Sequence, residues 1–354
     1  MRRRHFLLAS LLARWSAARA NASYPDVRPG ITLQFPRDHG NHPLFRTEWW
    51  YVTGVARLAG VEIGVQVTFF RSRPGVAENI TSRFAPREIL FAHAAIALPQ
   101  RGRLLTDQRA ARAGFGLAEA SEESTDVRID DWSLQLRGDT YTARIVAREF
   151  TLALDFRMSQ PPLLQGEEGV SRKGPQPAQA SYYYSVPQLA LSGTMAFEGR
   201  QQSVDGVAWL DHEWSSAYLA PDARGWDWVG VNLDDGGALM AFRIRDRRGN
   251  PFWAGGAFRD RSGRRTVFRH DDVRFDTLRT WRSARTNIDY PIAMSVRAGE
   301  FDLVLEPLFD DQEEDARASV GTIYWEGAVR ARSADALMGR GYLELTGYGE
   351  PLRL

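Results

Sequence analysis

From about residue 31 onward the dominant spacing of apolar positions is two. Val61, Ile63, Val65, Val67 and Phe69 alternate with Glu62, Gly64, Gln66, Thr68 and Phe70, the pattern of a strand with one face in a core. Trp132, Leu134 and Leu136 run into a Gly138-Asp139 turn, followed by Tyr141, Ala143 and Ile145 and then by Phe150, Leu152, Leu154 and Phe156, an antiparallel meander. The same grammar returns after residue 225 in GWDWVGVNL, GALMAFRIR, PFWAGGAF, PIAMSVRA, FDLVLEPL, TIYWEGAVRA and GYLELTGY, most of them separated by Gly, Asp, Asn or Pro. Helical spacing is weak, and its best segment is a short surface stretch near Leu105 to Ala120. Two stretches break the pattern. Residues 159–181, rich in Pro, Gly and Gln, read as a long loop, and residues 310–315, DDQEED, read as a solvated acidic turn.

These elements predict an all-β chain. At 354 residues it is too long for one small core, so two domains are expected. A faint internal repeat agrees: Trp50, Gly54 and Val55 match Trp226, Gly230 and Val231, and each set opens a hairpin whose second strand ends in Phe then Arg (Phe70-Arg71 and Phe242-Arg243). Many antiparallel strands with large aromatics at their starts suit closed up-and-down barrels, which remove exposed edges and can enclose an apolar ligand. A β-sandwich satisfies the same spacing. The expected division is a leader at 1–22, a first domain at 23–215 and a second at 216–354.

The leader changes the charge balance. MRRRHFLLASLLARWSAARANAS has a basic start, an apolar run from Phe6 to Ala13 and small residues at Ala18, Ala20 and Ala22, the layout of a secretory signal. Its run is far short of the roughly 20 residues a spanning helix needs, and Arg3-Arg4 resembles a twin-arginine export signal. Export to the periplasm or beyond is therefore expected, with no transmembrane segment in the mature chain. Residues 1–22 hold five arginines and no acid, so 45 basic residues become 40 against 44 acidic, a net charge of −4. A mildly acidic chain without basic runs excludes nucleic acid as the expected partner. The absence of cysteine excludes disulfides, thiolate zinc sites and a cysteine nucleophile.

The chemistry concentrates in Gly206 to Leu233, GVAWLDHEWSSAYLAPDARGWDWVGVNL. If Val207 to Trp214 is extended, His212 and Trp214 share one face while Asp211 and Glu213 share the other, a proton-transfer set framed by aromatics. The alternative is that the tryptophans are β-core and the acids belong to a turn. Glu48 precedes Trp49, Trp50 and Tyr51. In an apolar cavity its pKa would rise, making it a proton donor; at a rim it would pair with an arginine such as Arg46. His93 interrupts the apolar strand ILFAHAAIAL, either as a hydrogen-bonded core residue or pointing into a cavity. His39 and His42, near Asp38, are either a metal pair or part of a polar loop at a barrel mouth. No G-x-S-x-G elbow, P-loop or Rossmann fingerprint occurs, and Ser216 stands where H-E-x-x-H needs its second histidine, so these hydrolase, nucleotide and zincin mechanisms are not expected.

FPRDHGNHPLFRTEWWYVTG, AWLDHEW with GWDWVGVNLDDG, TW followed by Tyr290-Pro291, YWEGAV at 324–329 and GYLELTGY at 341–348 resemble, in that order, the AttH-like exported lipocalin-type family, often labelled secreted hydrolases and related to carotenoid 1,2-hydratase (hydroxyneurosporene synthase). The resemblance spans residue 31 to the C-terminus. It implies two consecutive lipocalin-like antiparallel β-barrels. Related hydratases, kievitone hydratase among them, add water across an isoprenoid double bond without a cofactor, and fungal Diels–Alderases resemble the same scaffold. AttH-like members tend to accompany ABC-transporter permeases. The resemblance thus implies a hydrophobic, isoprenoid or lipid-like ligand and no cofactor or metal. The chain would be a hydratase, or a non-catalytic carrier working with such a transporter. His212, Asp211, Glu213 and Glu48 are the candidate acid/base groups; Trp49, Trp50, Tyr51, Trp214, Trp226, Trp228 and His93 are the candidate substrate-binding residues. The same residues could instead lock one domain to the other.

Overall fold

A computed structural model describes residues 24–76 and 78–351; the expected leader lies outside the described residues. The first sheet is built from β1 (Thr47–Leu58), β2 (Val61–Ser72), β3 (Ile89–Leu98), β4 (Arg103–Arg112), β5 (Ala118–Ala120), β6 (Asp126–Ile129), β7 (Trp132–Arg137), β8 (Thr140–Val146), β9 (Phe150–Arg157), β10 (Leu163–Leu164), β11 (Val170–Arg172), β12 (Ala180–Phe197) and β13 (Arg200–Ser215). The second comprises β14 (Ala223–Leu233), β15 (Ala238–Asp246), β16 (Pro251–Arg259), β17 (Arg265–Phe268), β18 (Val273–Arg282), β19 (Asp289–Ala298), β20 (Phe301–Pro307), β21 (Glu313–Ala316), β22 (Thr322–Ser333) and β23 (Ala336–Leu345). The first sheet is a nearly closed barrel, and the second curves around its own core. Among the described residues no helix is long and apolar enough to cross a membrane.

Both sheets follow one plan. The opening strand is central, paired on one side with its hairpin partner and on the other with the last strand: β1 lies between β2 and β13, and β14 between β15 and β23. The faint repeat marks these two hairpins. Its tryptophans face differently, however. Trp50 points into the first barrel's core, whereas Trp226 packs on the cluster outside the second.

Large side chains fill the first barrel, including Trp50, Trp132, Tyr141 and Phe156, and Tyr290, Trp325 and Leu343 are in the core of the second. Between them lies a third apolar cluster with Tyr51, Val55, Tyr183, Trp209, Trp228, Met240, Phe242 and Tyr342. Strands at this contact are buried on both faces. In β2 the inward residues Ile63, Val65, Val67 and Phe69 are covered as their spacing predicts, and Gln66 and Thr68 on the other face are buried as well. Gln66 Nε2 reaches across to Glu326 Oε2 at 3.2 Å, and Arg330 and Arg340 of the second sheet clasp Glu62 of the first at 2.6 and 2.5 Å.

Three expectations change. The stretch near Leu105 to Ala120 is not helical, because Arg103–Arg112 pairs along its length with β3. The 159–181 loop contains β10 and β11, both hydrogen-bonded to β12, and buries Lys173. The acidic 310–315 stretch is not simply solvated, since Glu313 and Glu314 begin β21 and are both buried.

Gly64 sits where the barrels touch: a Cβ there would meet Tyr342 Oη, and would lie 2.9 and 3.0 Å from the Cβ atoms of Ala328 and Ala97. Gly64→Val is expected to cost about 1–3 kcal/mol through overpacking, read as a lower urea midpoint with an unchanged strand signature in circular dichroism. An unchanged midpoint would show that the barrels do not meet there.

Candidate active site between the two barrels

The pleat sorts the functional side chains. β1 pairs with β13 so that Glu48 lies opposite Trp214, Trp50 opposite His212 and Tyr51 opposite Asp211. Successive residues point to opposite faces, so Glu48, Trp50, His212 and Trp214 enter the first barrel, while Trp49, Tyr51, Asp211 and Glu213 face the second. The expected segregation of His212 with Trp214 from Asp211 with Glu213 is present, and each pair serves a different environment.

Inside the first barrel, Glu48 is fully buried and ionised. Its Oε1 accepts from His42 Nδ1 at 2.7 Å and His212 Nε2 at 2.8 Å; its Oε2 accepts from the His42 backbone N–H at 2.8 Å and Arg71 Nε at 3.1 Å. Burial alone would push this carboxyl up, but the His42 charge, the histidine hydrogen bonds and Arg71 hold it far below the usual carboxylate range. The raised value considered for a cavity-facing Glu48 is thus reversed, and its arginine is Arg71. Burial also opposes charge on His42, yet Glu48 and Asp38 raise its pKa. With Nε2 3.1 Å from Asp38 Oδ1, the ring donates from both nitrogens and stacks on Trp214 at 3.7 Å. Burial lowers His212 despite Glu48. Its remaining nitrogen accepts from the Tyr184 hydroxyl at 2.9 Å, and Trp50 stacks on its ring.

His42 Nδ1, Glu48 Oε1 and His212 Nε2 lie within 4.8 Å of one another and could in principle hold a metal ion. In this network both ring nitrogens donate protons to the one oxygen, and a guanidinium occupies the other. The donor set fits a closed charge cluster better than a metal cage. His39 does not join His42: its Nδ1 is 2.8 Å from the Tyr184 hydroxyl, and burial lowers its pKa to about 4.

The outward faces line a cavity of about 270 Å³ between the barrels, just below the usual range for ligand pockets. Of the candidates from sequence, Glu48, Trp49, Tyr51, Asp211, Glu213, Trp226 and Trp228 border it; His212, Trp50, Trp214 and His93 do not. His93 is a hydrogen-bonded core residue, with Nδ1 2.7 Å from the Tyr324 hydroxyl and Nε2 2.8 Å from Ser319 Oγ, and burial lowers its pKa to about 3. Glu326 and Glu344, on the cavity wall supplied by the second barrel, were not singled out from sequence. Their signal was present, since each is a carboxylate inside an aromatic strand, YWEGAV and GYLELTGY, the same argument that drew attention to Glu48.

Besides Glu48, four carboxylates border the cavity, and they differ in their partners. Asp211 accepts from Trp209 Nε1 at 2.7 Å, Tyr183 Oη at 2.6 Å and Ser185 Oγ at 2.5 Å; burial raises it to about 7 against those donors. Glu213 accepts from Ser181 and pairs with Lys173 at 2.9 Å, and burial outweighs that pairing to raise its pKa. Glu344 accepts only from Trp226 Nε1, at 2.9 Å; burial, reinforced by the Asp211 and Glu213 charges, raises it to about 7. Glu326 is driven higher by burial and then by the Glu344 and Glu314 charges, against the opposing influence of the neighbouring Tyr51 hydroxyl, and its Oε1 has no partner in good hydrogen-bond geometry. Carboxyl groups that ionise near neutrality among indole and phenol rings can exchange a proton with an apolar molecule.

The AttH-like family model matches residues 26–348. The crystal structure of an AttH protein from Nitrosomonas europaea is 50% identical to this chain, covers 92% of it and 99% of its own length, and superposes with a TM-score of 0.86. Kievitone hydratase from Nectria haematococca is 13% identical over 92% of this chain and 96% of its own, with a TM-score of 0.69. CghA, in a structure with a bound compound, is 13% identical over 86% of this chain and 89% of its own, with a TM-score of 0.55. The latter two share the fold. No curated protein matches the chain.

Replacing Glu48 by Gln leaves buried Arg71 with Glu88 alone and His42 with Asp38 alone, so Glu48→Gln is expected to cost about 3 kcal/mol in urea unfolding; a loss under about 1 kcal/mol would refute this account of the cluster. The pH dependence has two signs. The lowered Glu48 pKa contributes stability present above its unfolded value, near 4.5, and lost as pH falls. The raised His42 pKa contributes stability present below 6.5 and lost as pH rises through its folded value. The wild-type advantage over Glu48→Gln should therefore be largest between those limits.

Proposed function

This chain belongs to the AttH-like family, and from that premise we propose that it is an exported, cofactor-independent hydratase acting on a hydrophobic, isoprenoid or lipid-like alkene in the cavity between its barrels. The observation that carries this reading is a set of buried carboxyl groups, some without cation partners, on the walls of an aromatic cavity. The likeness in fold to kievitone hydratase supports it. Export rests on the N-terminal pattern of basic, apolar and small residues.

Hydration needs three things. A carboxyl group protonates one alkene carbon, the π pair forming the new C–H bond. Aromatic faces hold the resulting tertiary cation, and a ring placed well in a dry site contributes about 2 kcal/mol or more; Trp49, Tyr51, Trp226 and Trp228 supply such faces. A water molecule then adds through an oxygen lone pair and returns a proton to a carboxylate. His212 takes no direct part, because its ring is closed between Trp50, Tyr184 and Glu48 inside the first barrel.

Incubation with a trisubstituted isoprenoid such as geranylgeraniol in heavy-oxygen water should give a tertiary alcohol carrying the label. Trp49→Leu should lower turnover about thirty-fold if that ring contributes about 2 kcal/mol. Native mass spectrometry separates the alternatives: a probe retained unaltered by wild type favours an apolar-ligand carrier, and a probe neither retained nor altered overturns ligand binding at this cavity.

A further inference from the structure

Resting on the hydratase reading, we propose that Glu326 and Glu344 hold one proton between them and form the proton donor of the cavity, while Asp211 and Glu213 on the opposite wall remain hydrogen-bond acceptors and take no part in the proton transfer. Glu326 on β22 is the direct cross-strand partner of Glu344 on β23. Directly opposed residues of antiparallel strands share a face with Cβ atoms about 4.5–5.5 Å apart. Two carboxyl groups so placed without a cation do not both ionise, and their protons belong to the pair.

The nearby cations are engaged elsewhere, Lys173 with Glu213 and Arg71 with Glu48. The titratable groups around the pair reinforce its acid character. Tyr51 from β1, Asp211 and Glu213 from β13, Glu314 from β21, Tyr324 from β22 and Tyr342 from β23 are all neutral or negative near pH 7, and burial is the leading influence that raises each of them. Of these groups only Tyr51 favours charge on Glu326, through its hydroxyl, and none is a cation that would hold a second negative charge.

The two walls differ in hydrogen bonding. Asp211 has three donors aimed at its two oxygens, so a proton placed on it would break one of those bonds. Glu213 would lose its ion pair with Lys173. Glu326 has a single donor, Gln66, on Oε2, and its unpartnered Oε1 belongs to a residue bordering the cavity. A proton on this pair therefore disrupts no existing bond. In the reaction the pair gives its proton to the alkene carbon and becomes doubly charged as the carbocation forms opposite it. The water that closes the C–O bond then returns one proton to the pair. Environments that push neighbouring carboxyls apart in this way are how one site keeps both an acid and a base.

Infrared spectroscopy tests this without a substrate, through the carbonyl stretch of protonated carboxyl groups slightly above neutral pH. Glu314, which is buried with both oxygens unpartnered, contributes its own band, so the loss in Glu314→Gln calibrates one carboxyl. The double variant Glu326→Gln/Glu344→Gln should lose a further band of about that size, and Asp211→Asn, whose carboxyl titrates near 7, should lose a smaller one. An unchanged band in the double variant, or a larger loss in Asp211→Asn than in the double variant, overturns the assignment. Because removing an opposed acid pair relieves repulsion, the single variants should fold, and their melting temperatures should gain on wild type as pH rises; a constant difference also counts against the pair. In the heavy-oxygen assay, turnover that survives in the double variant rejects the donor but keeps the hydratase reading. Absence of turnover in wild type with the band assignment intact rejects the hydratase reading alone.

Discussion

Glu48 is ionised where water does not reach because four donors converge on its two oxygens. An isolated carboxylate in that position would cost several kcal/mol, so the cluster constrains everything that supplies a donor. His42 fixes the segment leading into β1, Arg71 fixes the end of β2, and His212 fixes β13. Those are three adjacent strands of the first barrel. Once their inward faces are locked, the directions of Trp49, Tyr51, Asp211 and Glu213 on the outward faces follow from the pleat alone. The charged interior is thus a positioning device for the cavity, and its histidines act through the backbone.

The molecule treats its buried acids in two contrasting ways. Glu48 is compensated by a guanidinium and a charged imidazole, which makes it a permanent anion. Across a single strand, the cavity acids are compensated by neutral donors, by one lysine, or hardly at all, and burial lifts their pKa values. The first arrangement fixes charge and geometry. The second leaves protons free to move at near-neutral pH, which is what general acid catalysis on an unactivated double bond requires.

The sequence made the strand content legible because period-two spacing survives wherever one face is apolar, and it separated the His212 face from the Asp211 face for the same reason. It misjudged Arg103–Arg112, where Arg, Thr and Gln dilute the alternation. It also misjudged Glu313 and Glu314, whose burial depends on β22 and on the neighbouring barrel, information that no local window carries. Glu48 illustrates a different limit. Spacing put it beside aromatics, but whether it would be acid or anion turned on Arg71, 23 residues away, and on the loop histidine His42. The Glu326 and Glu344 pairing was hidden because cross-strand register is a tertiary fact, even though both segments stood out as motifs.

The barrel itself was expected to enclose the ligand, and the packing argues otherwise. Trp50, Trp132, Tyr141 and Phe156 occupy the first interior, and Tyr290, Phe275 and Trp325 lie in the second, so the described cavity with convergent polar groups lies between the barrels. That location has a consequence for the architecture. The first barrel supplies Asp211, Glu213, Trp49 and Tyr51, and the second supplies Glu326, Glu344, Trp226 and Trp228, so neither half alone holds both an acid pair and its opposing acceptors. A duplicated fold that merely stacked two stable barrels would bury apolar surface at the contact. This one also buries carboxyl groups there, at a cost in stability that hydrophobic residues of similar volume would avoid. An interface selected for adhesion alone has no use for acids it cannot neutralise, and the proposed reaction is what gives them one.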